Sequence, residues 1–376
     1  MESAKQHSHF RLVILKGKVY LEKFGDAYQT REPYTIWGFV QLLRFYPGIV
    51  PDVEIMFRCE DTPLIRKDDY QHPNASQPPA LFQYCGSDDG IAVIFPDWSF
   101  WGWIELNIRP WNSIIKSIVK GNKKTKWSRR KPYAFWKGNP ESPDRRDLAS
   151  CNVSRRHEWG VRVYRQDWPA EIEKGFENSK LEDQCDHRYK IYIEGWGWSV
   201  SEKYILACDS MTLFVKNKYY DFFTRGLIPM EHYWPIRREN KCRDLKFAVQ
   251  WGNKHPREAK KIGRAGSKYV QEDVKMENVY AYMFHLLSEY AKLLRFKPQI
   301  PKNAVELCST AMVCGEHDIS RRFMAQSMVR SPSDELPCAL PPPYDPPALE
   351  AIMDKKKKLS RQVQKWTDDY WKWRWW

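Results

Sequence analysis

Apolar positions along the chain recur with two periods, and the period changes repeatedly. Phe10–Leu15 and Lys18–Leu21 alternate around Lys16-Gly17, which predicts a β-hairpin. Tyr34–Arg44 places Trp37, Leu42 and Leu43 on one helical face and stops at Tyr46-Pro47-Gly48. Val53–Arg58 is a short apolar run of the kind buried on both faces, and Ala92–Phe95 is a second. Further on, Pro110–Val119 reads as helix and Tyr133–Trp136 as strand. Arg145–Ala149 opens a helix, Arg188–Ile193 is a strand, Ser201–Cys208 a helix and Thr212–Val215 a strand. Val274–Phe296 is a long amphipathic helix. Strands alternating with helices predict an α/β protein with parallel sheets.

Two segments break this pattern. The basic stretch 120–131 lacks hydrophobic periodicity and is the candidate linker. Near the end, Pro337, Pro341, Pro342, Pro343, Pro346 and Pro347 predict an extended segment. A closing helix, about Leu349–Trp371, is expected to pack back on the body.

Composition sharpens the reading. Hydrophobic residues make up 42% of 376, enough for one large or two ordinary domains with substantial cores. The 18 Trp and 20 Tyr suit a core and its margins, and equally the walls of a sugar- or base-binding cleft. The net charge of +14 favours an anionic partner. The basic residues are mostly interleaved with acids, however, which argues against a nucleic-acid partner. No stretch reaches the length of a membrane span, and Met1–His9 is too polar for a signal peptide. The nine cysteines show no paired zinc spacing, and an odd number leaves at least one free thiol beside any disulfides. Asn74-Ala75-Ser76 and Asn152-Val153-Ser154 are glycosylation sequons if the chain enters a lumen.

Two helix starts suit a diphosphate. In the first, strand 189–193 leads through Glu194, Gly195, Trp196, Gly197 and Trp198 to Ser199-Val200-Ser201-Glu202-Lys203. Glycines permit close approach of a ligand, and Ser199 with Glu202 has the spacing of a capping box. The free N–H groups of a helix start, two serine hydroxyls and Lys203 would all favour phosphate. In the second, Lys137-Gly138-Asn139-Pro140-Glu141 precedes Ser142 as N-cap, Pro143 as first helical residue and Arg145 in the first turn. An arginine opposes the helix dipole there, which makes sense if an anion neutralises it. For an acid or base, Glu60 and Asp61 follow the strand Val53–Arg58, where carboxylates in α/β sheets meet ligands. Asp97 and Glu105 occupy comparable places, and each acid alone could equally be a cap or a salt-bridge partner. Asp68-Asp69 and Asp88-Asp89 lack the preceding apolar strand that would hold a metal-binding pair rigidly.

Four segments carry a family resemblance: FPDWSFWGWIELNIRPW (95–111), AFWKGNPESPDRRDL (134–148), YKIYIEGWGWSVSEKYILACDSMTLFV (189–215) and LPCALPPPYDPP (336–347). From about residue 10 to the end, the sequence resembles the Rumi-type protein O-glucosyltransferases, especially their plant members. The resemblance implies a GT-B architecture of two Rossmann-like lobes with the active site between them. The expected boundaries are 1–130 for the acceptor-side lobe, 131–270 for the UDP-sugar lobe and 271–376 for helices and tail. It implies inverting transfer of glucose or xylose from UDP-glucose or UDP-xylose to a protein or glycan hydroxyl, without metal or cofactor, in the endoplasmic reticulum or Golgi lumen.

By the same resemblance Asp61 is the general base. Lys137, Gly138, Ser142, Arg145, the loop Trp196, Gly197, Trp198, Ser199, Val200 and Ser201, and Lys203 hold the donor. Trp98, Trp101, Glu105 and Asn107 line the sugar and acceptor cleft, and Cys185 pairs with Cys208. Lys137 and Ser201 stand where animal members carry arginine, and the family's anchor and early cysteine pair are absent. The rival readings are a non-catalytic sugar-nucleotide or glycan-binding relative and a basic nucleic-acid-binding protein.

Overall fold

A computed structural model describes residues 1–71, 77–155 and 158–372 of the chain. The sequon at Asn74 lies outside the described residues. The chain forms two compact units. The first comprises Met1–Ile114, Tyr219–Phe222 and Lys275–Ala339, and the second Ile115–Lys218, Phe223–Val274 and Leu340–Trp376. Residues 271–376, expected as one closing segment, are therefore divided between the two.

The first unit is built on a six-stranded sheet ordered Val305–Leu307, Lys18–Lys23, Phe10–Leu15, Val53–Phe57, Phe82–Gln83, Val93–Ile94. The predicted hairpin around Lys16-Gly17 forms, and the expectation of parallel sheets holds for only part of this sheet. Phe10–Leu15 pairs antiparallel with both neighbours, while the last three strands run parallel. The cause is local: Lys16 and Gly17 both take positive φ, 51° and 72°, which closes a two-residue hairpin. All five residues of Val53–Phe57 are buried. Phe57 stacks on Phe10 at 5.2 Å, and Phe39 of helix Arg31–Phe45 stacks on Phe95 at 4.4 Å. Helix Met276–Leu293 joins this core through Tyr290, whose ring meets Phe82 at 5.0 Å.

The second unit has a five-stranded, wholly parallel sheet ordered Trp234–Ile236, Met211–Val215, His187–Tyr192, Lys131–Gly138, Val161–Arg165. Its core includes Trp136, Leu148, Tyr189, Ile191, Leu213, Trp234 and Ala248, and Val363 of the closing helix is buried against it. That helix begins at Pro346, three residues earlier than expected, because a proline costs no hydrogen bond in the first turn. The proposed linker is also corrected. Helix Trp111–Lys124 runs into it, residues 127–129 form a short 3₁₀ turn, and strand Lys131–Gly138 follows at once. Asn122, Trp127 and Arg130 within it are buried. No described helix is long and apolar enough to cross a membrane.

Helix Pro256–Glu272 meets main chain directly. A Cβ on Gly263 would fall 2.6 Å from the Ser210 carbonyl carbon and 2.8 Å from Asp209 O. Backbone cannot step aside as a side chain can, so Gly263→Ala should cost on the order of 1–3 kcal/mol. Urea denaturation would read this, and an unchanged midpoint would refute the close approach.

Candidate functional site

In the second unit, strands Lys131–Gly138 and His187–Tyr192 are parallel neighbours. Their carboxyl ends therefore release two loops side by side, each leading into a helix: Pro143–Ser150 and Ser201–Ala207. Arg145 ties the loops together. Its Nε donates to Glu194 O at 3.1 Å, one terminal nitrogen to Asn139 O at 3.1 Å and the other to Ser199 Oγ at 3.0 Å. Gly195 admits it closely, since a Cβ there would sit 3.3 Å from a guanidinium nitrogen. Ser199 Oγ also lies 2.8 Å from Ser201 Oγ, and Ser199 N donates to Tyr192 Oη at 3.3 Å. Beneath them Arg238 pairs with Asp144 at 3.0 Å and with Glu194, while Lys241 pairs with Asp147. Each helix start is thus fixed by charged contacts.

Ser142 is the N-cap of Pro143–Ser150, as its position predicted, yet its side chain caps nothing. Its hydroxyl is buried with no partner among the described residues. A buried hydroxyl without a partner carries a desolvation cost that a bound acceptor would relieve. Gly138 has no room for a side chain, a Cβ there falling 2.6 Å from the Trp136 ring. Lys137 donates to Asn178 O at 2.6 Å. Trp196 is 61% exposed at the loop tip, where Gly195 N bonds Gly197 O, whereas Trp198 is buried. Lys203 turns inward: it is buried, reaches Val200 O at 3.4 Å and lies over the Tyr204 ring.

The expected capping box does not form. The helix starts at Ser201 with Val200 as N-cap and no side-chain cap, because Ser199 Oγ is taken by Arg145 and Ser201. Glu202 instead points into the protein, accepting from Thr224 Oγ1 at 2.9 Å. Burial pushes its carboxyl up to about 7, partly offset by its hydrogen bonds to Thr224 and Tyr192. The folded protein therefore keeps this proton to about pH 7, while the unfolded chain loses it near the ordinary value of 4.5. The native state binds the extra proton between these limits, so this group's contribution to stability falls as pH rises through the window. His187, pushed down to about 4 chiefly by burial, gives the opposite slope below 6.5. Comparison with Glu202→Gln isolates the carboxylate: urea midpoints at pH 5 and pH 8 should decline less in the variant. An equal decline would show that Glu202 is already charged at pH 5.

Cys185 and Cys208, buried beside this helix, form a disulfide, and a second joins Cys151 at the end of Pro143–Ser150 to Cys242. The second went unread in the sequence because its partners lie 91 residues apart with no local signal. The sequon at Asn152 has a structural use: its amide donates to Val163 O and accepts from Val163 N, each at 3.0 Å.

In the first unit, Asp61 lies four residues past strand Val53–Phe57 with its side chain 40% exposed. One carboxylate oxygen is 2.9 Å from Arg31, the buried first residue of helix Arg31–Phe45. That guanidinium also donates to Cys59 O at 3.3 Å and faces the Trp98 ring at 4.7 Å. Arg31 was overlooked, although it carries the signal that singled out Arg145, an arginine in a helix's first turn. Glu60 faces His9 at 3.6 Å instead. Asp97 is a cap, accepting from Ser99 N at 2.8 Å. Glu105 holds the start of Arg31–Phe45, accepting from Thr30 N at 2.8 Å and Thr30 Oγ1 at 2.9 Å. Trp98 and Trp101 are buried, the latter against Gly38 with its N–H donated to Tyr280 Oη at 3.1 Å. Asn107 ends a short turn at φ 50°.

Comparison with known proteins shows the family. The model of glycosyl transferase family 90 matches residues 1–367. An O-glucosyltransferase rumi homolog of Aedes aegypti is 27% identical over 69% of this chain and 66% of its own length. Protein O-glucosyltransferase 2 of Danio rerio is 25% identical over 81% of the chain and 59% of its own length. Human protein O-glucosyltransferase 3 is 25% identical over 69% and 50%. The chain thus spans between half and two thirds of the length of these relatives.

Proposed function

We propose that this chain, which belongs to glycosyl transferase family 90, is an inverting, metal-independent transferase that moves glucose or xylose from a UDP-sugar to an acceptor hydroxyl such as that of a protein serine. The reading takes the two units as the lobes of a GT-B enzyme, the second holding the donor. The observation that carries the donor side is Arg145, which joins two helix starts, the first of them N-capped by Ser142, whose hydroxyl is unpartnered among the described residues. The names of the related O-glucosyltransferases support the sugar and the acceptor. Two disulfides support an oxidising compartment, the lumen of the endoplasmic reticulum or Golgi.

In the proposed reaction Asp61 takes the proton of the acceptor hydroxyl. The acceptor oxygen bonds to the anomeric carbon as the bond from that carbon to the diphosphate breaks, and the electron pair leaves on UDP. Arg145, the serine hydroxyls and the helix N–H groups offset the charge that grows on the leaving group. Arg31 holds one Asp61 oxygen in place.

The test is a transfer assay with UDP-glucose and UDP-xylose in EDTA, using folded serine-bearing domains as acceptors. It is paired with calorimetric binding of UDP. Transfer that survives chelation supports the reading. Binding without transfer to any acceptor would favour a non-catalytic sugar-nucleotide-binding relative, and no binding by the folded protein would refute the donor site.

A further inference from the structure

The second unit contains a cavity that the donor reading does not use. Its volume is about 640 Å³, within the range of small-molecule sites. Arg130, which lines it, immediately precedes strand Lys131–Gly138, and Asp209, which also lines it, precedes strand Met211–Val215. The cavity therefore lies at the amino ends of the parallel strands, whereas the loops around Arg145 leave their carboxyl ends.

Its charge is one-sided. Lys123, Lys126, Arg130, Arg257, Lys260 and Arg264 line it, against the single acid Asp209. None of these six cations makes an ion pair among the described residues. Arg130 is only 3% exposed, and its guanidinium donates to neutral groups: Asn122 O at 3.0 Å, and Thr125 O and Ser210 Oγ at 3.3 Å each. A buried cation that makes no ion pair is costly. Burial pushes this guanidinium below its ordinary range, and the charges of Asp209 and Asp186 offset that only in part. Trp127 also lines the cavity, 7% exposed, and its buried indole N–H has no acceptor among the described residues. The first turn of helix Pro256–Glu272 enters the wall through Pro256, Arg257 and Lys260, adding the positive end of a 17-residue helix.

We propose that this cavity is a second binding site, for a small molecule carrying two or more phosphate groups, held by Arg130 and the Trp127 N–H and by Lys126, Arg257, Lys260 and Arg264. Phosphate fits better than a lone carboxylate, because several cations converge without acids to pair them and each phosphate group accepts several charge-assisted hydrogen bonds. The ligand is either a free oligophosphate or the phosphorylated headgroup of a lipid. The site is independent of the transferase reading.

The experiment is calorimetric titration of the full chain with inositol hexakisphosphate, in parallel with co-sedimentation on phosphatidylcholine vesicles with and without phosphatidylinositol bisphosphate. Two variants discriminate the sites: Lys126→Ala/Arg257→Ala/Arg264→Ala in the cavity, and Arg145→Ala on the opposite edge of the sheet. The three cavity residues are exposed, so the triple variant should melt as the wild type does, whereas replacing Arg130 itself risks the fold. Binding should weaken tenfold or more in the triple variant, which removes three cations available to phosphate, and stay within about twofold in Arg145→Ala. Soluble binding would identify a free ligand, and binding to the charged vesicles alone would identify a headgroup. Unchanged affinity in the folded triple variant, dependence on Arg145, or no binding of either probe would overturn the proposal.

Discussion

Asp61→Asn is expected to slow sugar transfer by about 10²-fold or more while leaving UDP affinity within about twofold, by analogy with the usual contribution of a general base. The amide keeps the shape of the carboxylate and still offers an oxygen to Arg31, which lies 2.9 Å away. What it loses is the capacity to take a proton. The loss should fall on kcat, since the proton moves in the transition state and donor binding precedes it. The paired variant Arg31→Met separates chemistry from placement. It leaves the carboxylate but removes its anchor and uncovers the Trp98 face that the guanidinium occupies. Its rate should fall less than that of Asp61→Asn, and the double variant should be no slower than Asp61→Asn alone. A rate near wild type in Asp61→Asn, measured on protein with an unchanged melting curve, would remove Asp61 from the mechanism.

Arg145→Ala should weaken UDP binding by tenfold or more. Three acceptors on two loops lose their donor at once: Asn139 O, Glu194 O and Ser199 Oγ. The variant would also lose a cation between the two loops, so placement and charge fail together. Arg145→Lys is expected to recover little, because one ammonium cannot reproduce a planar fork aimed in three directions. The measurement is calorimetry with UDP at two ionic strengths. Salt should weaken the wild type more than Arg145→Ala if the guanidinium acts on phosphate charge. Equal affinity for UDP in wild type and variant would move the donor site elsewhere.

The sequence led to these two candidates by different routes. A charge placed against the helix dipole pointed to Arg145, whereas carboxylates past apolar strands left Glu60, Asp61, Asp97 and Glu105 open and the family resemblance chose Asp61. The same dipole argument applies to Arg31, but apolar periodicity starts that helix only at Tyr34 and leaves Arg31 outside its first turn. Local pattern also placed three strands of the second sheet, Lys131–Gly138, His187–Tyr192 and Met211–Val215, to within two residues, since a buried strand is a continuous apolar run, but it missed Val161–Arg165 and Trp234–Ile236.

Pattern failed where a residue's partner was remote. Ser199 and Glu202 have capping-box spacing, yet Arg145 lies 54 residues from Ser199 and claims its hydroxyl. Stretch 120–131 looked like a linker because its helical turn is mostly cationic. Its order comes from Arg130 reaching Asn122 O, a contact across a turn that no hydrophobic period reports. The hairpin Phe10–Lys23 was legible from its two-residue turn, but the general inference of parallel sheets from alternating strands and helices did not take account of it.

The division of the chain has a consequence for its synthesis. The first unit begins at Met1 but takes its edge strand from Val305–Leu307 and a core helix from Met276–Leu293. Until those emerge from the ribosome, strand Lys18–Lys23 has an open edge and the Phe57–Phe82 cluster lacks a cover. The strands of the second sheet, which end at Ile236, emerge in the meantime. At about 5–20 residues per second, strand Lys18–Lys23 waits roughly fifteen to sixty seconds for its edge partner Val305–Leu307. The hairpin Phe10–Lys23 thus waits longer for its last partner than any later strand of its sheet, and neither unit corresponds to a piece that a simple truncation would release.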